Sequence, residues 1–214
     1  MGEAWYWAAW VTWVPLFARI VWRAPWLRLK ESEQLNVWLG MVVLLTLIWS
    51  LKAGVKPGLS LHFLGATIFT LCFGPHLAFI GLSLVVLGIT LNGAAGPVAF
   101  AANSLLLAGL GVLFSHWLWR VSSYVLPKHF FVYIFVNGFF GSALTIIGVG
   151  LVATVLLALG DAYAWEYLFQ EYFPYFLLLG FAEAWMSGML LTLFVIYRPH
   201  WVGTFDDTCY LAGK

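Results

Sequence analysis

Charge, and above all its near absence, sets the limits on this chain. Ten Lys+Arg and nine Asp+Glu serve 214 residues, and they cluster in short connecting segments with long apolar windows between them. Charged residues make up 9% of the chain, against about 25% in soluble domains. A soluble monomer of this size would have too little polar surface to cover itself. That excludes a soluble enzyme, a nucleic-acid binder and a disordered tail. The sequence therefore specifies a polytopic membrane protein, all-α, with residues 1–214 forming a single integral membrane domain in the cell (inner) membrane.

Read for continuous apolarity, the chain divides into seven expected spans. They run from about Ala4 to Val21, Asn36 to Leu51, Leu59 to Phe73, His76 to Leu91, Val98 to Leu118, Phe130 to Leu159 and Pro174 to Tyr197. Apolarity on every face fits helices, because lipid cannot satisfy a bare backbone. Barrel strands would show a polar residue at every second position, and these windows do not. The first basic residue is Arg19, so the first window lacks the basic leader of a signal peptide and is expected to remain as a span.

The basic residues fix an expected orientation. With the N-terminus outside and the C-terminus cytoplasmic, Arg19, Arg23, Arg28, Lys30, Arg120, Lys128, Arg198 and Lys214 fall on the inner side, and only Lys52 and Lys56 on the outer. Lys and Arg near span ends favour the cytoplasmic side, so this arrangement is expected. Trp5 and Trp7 then mark the outer interface, and Trp22 and Trp26 the inner one. Cys72 and Cys209 fall in different regions and form no C-x-x-C, which argues against a disulfide framework or a zinc site.

The third and fourth spans are short and joined only by Gly74-Pro75. At 1.5 Å per residue each covers about 23 Å, less than the ~30 Å hydrocarbon core. Short helices bounded by Gly and Pro often flank a binding site in transport bundles; thinning of the local bilayer is the plainer alternative.

Few polar groups lie inside the spans. His62 stands near the outer end of the third, Asn103 in the fifth, Asn137 in the sixth and Glu183 about nine residues into the seventh. A charged carboxylate at mid-membrane costs roughly 2.5–3.5 kcal/mol on insertion scales, so Glu183 needs a role or a partner. One role is support of a bound cation, and the other is a carboxyl that pins helices by hydrogen bonding. Imidazole is a common ligand for divalent transition metals, which makes His62 the candidate metal ligand. Met186 and Met189 read as packing residues. His76, His116, His129 and His200 fall at inner span ends or in inner loops, too scattered for a di-iron cluster. A haem between His76 and His116 is disfavoured because both sit at helix ends.

The run S-L-H-F-L-G-A-T-I-F-T-L-C-F-G-P, Ser60 to Pro75, resembles a segment of the cobalt and nickel uptake proteins of the energy-coupling-factor type, the CbiM/NikM family. His62, Gly65-Ala66 and Gly74-Pro75 keep the family spacing. Asn92 to Asn103, N-G-A-A-G-P-V-A-F-A-A-N, is similar to the family's Gly-rich loop and Asn motif. F-A-E-A-W-M-S-G places Glu183 on the family glutamate. The resemblance implies about seven helices with an external N-terminus and a metal site near the outer face with His62 as a ligand. The family's Met-His start reads Met1-Gly2-Glu3 here, and Leu106 stands at the second Asn of its Asn-x-x-Asn, so the expected metal site rests on His62.

The expected function is thus a membrane-embedded substrate-binding or uptake component for a small cationic solute, a divalent transition metal of the nickel/cobalt type. His62, Asn103 and Glu183 are the binding residues and His62 the metal ligand. No Gly-x-x-x-x-Gly-Lys-Ser/Thr signature is present, so energy must come from ATPase subunits through a coupling membrane subunit. The alternative is a structural or assembly subunit of a larger membrane complex, docked through the Trp-rich first span and the F-D-D-T-C-Y-L tail. No nucleophile–base pair points to an enzyme.

Overall fold

The computed structural model describes residues 3–51, 53–56, 59–93 and 95–210. Lys52 and Lys214, used above for orientation, lie outside the described residues. Six long helical segments among the described residues carry the fold: α1 (Glu3–Arg23), α2 (Ser32–Ser50), α3 (Ala66–Leu91), α4 (Pro97–Val125), α5 (Phe130–Leu159) and α6 (Trp165–Tyr197). Among the described residues, α2 to α6 are long and apolar enough to cross a membrane. The protein is a multi-pass integral membrane protein. α1 is also long, but Trp, Tyr, Thr and Arg dilute its apolar content. Its Trp7 and Trp22 stand exposed toward either end, where interfacial aromatics belong.

The bundle is all-α as expected, and the correction concerns the third and fourth spans. A short antiparallel hairpin follows α2: β1 (Ala53–Lys56) pairs with β2 (Leu59–Leu61), with Ala53 opposite Leu61 and Gly54 opposite Ser60. The expected third span, starting at Leu59, therefore loses its first residues to this hairpin and a short loop, and helix begins only at Ala66. The expected third and fourth spans are the two arms of α3. They meet at Gly74, whose φ of 76° and ψ of 171° are not helical. Pro75 opens the second arm, a position where its missing N–H costs nothing.

The arms fold back on each other. A Cβ on Gly81 would run into the Phe69 ring, and Trp38 of α2 packs edge-on against that ring at 6.3 Å between centroids. Residues 69 and 81 of a straight helix would stand roughly 18 Å apart along its axis. The first arm, 66–73, reaches about 12 Å, less than half of the hydrocarbon core. It is a half-helix, buried on all sides: every residue from Ala66 to Phe73 is inaccessible.

Both ends of a half-helix inside a membrane need hydrogen-bond partners. The C-terminal end is met by the chain after α6, where Gly203 N donates to the Cys72 carbonyl (2.9 Å) and Thr204 N and Oγ1 donate to that of Leu71 (3.2 and 2.8 Å). The same segment is tied to the α1–α2 connection. Arg28 donates to the Trp201 carbonyl (3.1 Å) and lies 5.2 Å over the Phe73 ring. Burial there pulls the Arg28 pKa below the ordinary arginine value. Gln34 donates to the His200 carbonyl (2.9 Å), and Glu33 pairs with His200 (3.1 Å) and accepts from Trp201 (2.8 Å). This end carries Arg23, Arg28, Lys30 and Arg198 and is called the basic end below.

α5 and α6 pack through glycines on both sides. Gly138 and Gly150 of α5 receive Leu191 and Phe176, and Gly180 and Gly188 of α6 receive Ile147 and Phe139. Close approach through small residues is the common way to join helices in lipid.

Candidate functional site

The N-terminal end of the half-helix explains Glu183. This residue of α6 is 1% exposed, and its carboxylate accepts hydrogen bonds from the backbone amides of Leu64 and Gly65 (3.0 Å for Gly65), with Ser187 Oγ at 3.4 Å. Those amides immediately precede the first arm of α3. An acidic side chain at a helix N-terminus satisfies orphan N–H groups and complements the helix dipole. Gly65 is left-handed (φ 67°), with Leu45 and Phe63 packed where a side chain would stand, so the turn into the half-helix requires glycine. Ser142 of α5 adds a bond to the Glu183 carbonyl at 3.1 Å.

A cavity of about 1150 Å³ lies between α1, the second arm of α3, α4 and α5. His62 and Asn103 both line it; Glu183 does not. The sequence-predicted trio is thus divided into two cavity residues and one loop anchor behind them. His62 is half-buried. Its ring lies on Trp49 at 4.2 Å between centroids, and Nδ1 stands 3.2 Å from the Phe63 carbonyl. A carbonyl only accepts, so this contact places the proton on Nδ1 and makes Nε2 the unprotonated ring nitrogen. Glu183, through Leu64 and Gly65, holds the loop that carries His62.

Asn103 directly precedes a π-helical stretch, Ser104–Leu110, within α4. Similar widened turns occur at Tyr133–Phe140 of α5 and Leu168–Tyr172 of α6. Leu106, at the family's second Asn, also lines the cavity. Its apolar side chain supplies no donor to a cation.

The remaining histidines separate by role. His129 caps α5, accepting from Phe131 N at 3.2 Å, and His200 pairs with Glu33. His76 and His116 line the cavity, which sequence reasoning missed because it placed them only at helix ends. Met186 and Met189 are about half exposed on the outer surface of α6, away from the carboxylate of Glu183. Asn137 is a packing group: it accepts from Ser122 Oγ (2.6 Å) and donates to the Tyr133 carbonyl (3.1 Å). Among the described residues, no group of three or more His, Cys, Asp or Glu is placed to hold a metal.

The chain is thus a helical membrane bundle around a cavity that His62 and Asn103 line. The CbiM family, described as the cobalt uptake substrate-specific transmembrane region, matches residues 2–201, and the chain belongs to that family. No curated protein and no solved structure matched it.

Proposed function

We propose that this protein captures a divalent transition metal of the cobalt/nickel type at the His62 end of the cavity and works as the substrate-binding subunit of an uptake system. Energy comes from ATPase subunits acting through a coupling membrane subunit. The observation that carries this reading is the meeting of His62 and Asn103 on one cavity, with the His62 ring oriented by Trp49 and the Phe63 carbonyl. Nε2 of His62 is the ligand, and the Asn103 amide offers a neutral oxygen to the ion or to its water. Glu183 is a positioning residue that fixes the loop beneath His62. Equilibrium dialysis of the purified full-length protein against cobalt(II) tests the reading. His62→Ala should weaken tight binding by more than roughly tenfold, the scale on which lost metal-site groups act, while the thermal midpoint stays put. Equal affinity in the two proteins would overturn it.

The seven-span count belongs to the same proposal, with the re-entrant first arm of α3 counted as a short span of its own. The N-terminus is then outside, which puts the basic end in the cytoplasm and His62 toward the outside, as uptake requires. Cys72 is buried and Cys209 exposed, so a membrane-impermeant maleimide reports on Cys209. Labelling should require a permeabilised membrane. Reaction in sealed, right-side-out vesicles would reverse the assignment.

A further inference from the structure

We propose that the half of the cavity nearest the basic end is a binding site for an anionic phospholipid, with an acyl chain between α1 and α4 and the phosphate on Arg23 and Arg120. The site lies away from His62 and does not depend on metal binding there. Ring contacts set the levels of the helices around it. Trp10 and Trp13 of α1 meet Phe100 near the start of α4, 5.7 and 5.1 Å between centroids. Further along, the Phe79 ring of α3 lies 6.2 Å from Phe17 of α1, and a Cβ on Gly109 of α4 would stand 3.5 Å from the same ring. α1 and α4 therefore run side by side in one direction, toward the basic end, with Phe79 as a shared level. At 1.5 Å per residue, Arg23 follows about 9 Å past Phe17 and Arg120 about 16 Å past Gly109.

The helix faces agree with the levels. On α4 the lining residues Leu106, Gly109, Leu113 and His116 recur every three or four positions, and Arg120 is the next step of that stripe. On α1 the lining residues Thr12, Leu16 and Ile20 recur in the same way, and Arg23 is the next step. Both walls end on an arginine.

Hydrocarbon suits the space between these walls. Past Phe79 they are mainly Ile20, Leu110, Leu113 and Ile146, and no acidic group is among the described residues that line the cavity. Leu16 and Leu113 line it and are also exposed, so this half opens sideways into the bilayer between α1 and α4. α1 buries none of its residues, and the rings that hold it to the fold all lie at or before Phe17. Apolar walls hold water poorly, whereas a lipid chain beside the opening can pack against them. The headgroup follows from charge. Arg23 and Arg120 are exposed, and neither has a hydrogen bond or a carboxylate partner among the described residues. A guanidinium pairs with phosphate through two parallel hydrogen bonds, and its long stem lets it reach the interface from different depths. Basic groups between spanning helices at headgroup depth favour anionic lipid.

Native mass spectrometry of the full-length protein in detergent, titrated with phosphatidylglycerol or with phosphatidylcholine, tests this. The parent should hold one phosphatidylglycerol roughly tenfold or more tighter than phosphatidylcholine. Arg23→Gln and Arg120→Gln should each weaken phosphatidylglycerol roughly fivefold and leave phosphatidylcholine unchanged. Lys30→Gln removes an exposed charge at the same end but off both stripes, and should change neither. Leu113→Trp fills the opening and should weaken both lipids, with circular dichroism and gel filtration showing that each variant is folded. Equal binding of the two lipids, or the same loss in Lys30→Gln as in the arginine variants, would reduce the effect to surface charge and overturn the proposal. So would phosphatidylglycerol binding that ignores Leu113→Trp, displacement of the lipid by inorganic phosphate, or a copurifying transmembrane peptide in its place.

Discussion

Glu183→Leu should lose about 2–6 kcal/mol of stability, because it leaves the Leu64 and Gly65 amides buried without an acceptor at roughly 1–3 kcal/mol each. The substitution is close in size and suits the lipid-like interior, so the loss comes from the two amides rather than from a cavity. Both amides lie at mid-depth in the bundle, against Leu45 of α2 and the 1%-exposed carboxylate of α6. Water does not reach them as a substitute. Glu183→Gln keeps an acceptor oxygen toward both amides and should retain most of the stability. Thermal unfolding in detergent separates the variants. Metal affinity should follow the same order, low in Leu and near the parent in Gln, since His62 stands two residues before Leu64. A Gln variant as damaged as Leu would show that the charge itself, not the hydrogen bonds, is the working feature.

Gly150→Leu should be the most damaging change at the α5–α6 interface. A Cβ on Gly150 would already overlap the Phe176 ring, and Phe176 is itself buried and helps to line the cavity. Overpacking typically costs about 1–3 kcal/mol. Here the ring has the cavity to turn into, so part of the strain should be relieved by filling it. The expected result is a lowered thermal midpoint together with weaker cobalt binding. Gly40→Leu serves as the control: nothing lies within 4 Å of a Cβ there, and the substitution should leave both quantities unchanged. A Gly150→Leu protein with the parent's stability would mean that α5 and α6 are not packed as described.

These two residues also show what the sequence reveals and what it hides. Glu183 stands out as a lone carboxylate in an apolar window, and its cost demands a partner. The partner is a pair of backbone amides, which no side-chain motif announces. Only the turn at Gly65 places them. The Gly74-Pro75 pair is legible as a break, but its consequence is not: a reversal inside the bundle and a loop between two crossings use the same residues. The hairpin escapes because A-G-V-K and L-S-L carry too little alternation to distinguish strand from span end. The α5 glycines can be read as a packing face, yet which neighbour fills each depends on helix rotation. Gly148 meets Phe114 of α4, whereas Gly138 meets Leu191 of α6. His62 and Asn103 are legible by motif spacing, and the fold places both on the cavity. His76 and His116 are 40 positions apart in sequence, and only the fold-back of α3 sets them on the same cavity.

Coordination of the metal by His62 can be observed directly. X-ray absorption at the cobalt edge, on full-length protein loaded below one equivalent so that the tight site fills first, reads the ligands directly. The parent should show the multiple-scattering signature of an imidazole, and a His62→Ala protein of unchanged thermal midpoint should lose it from the tight site. The same imidazole signature and occupancy in both proteins, or no cobalt retained by the parent, would contradict it.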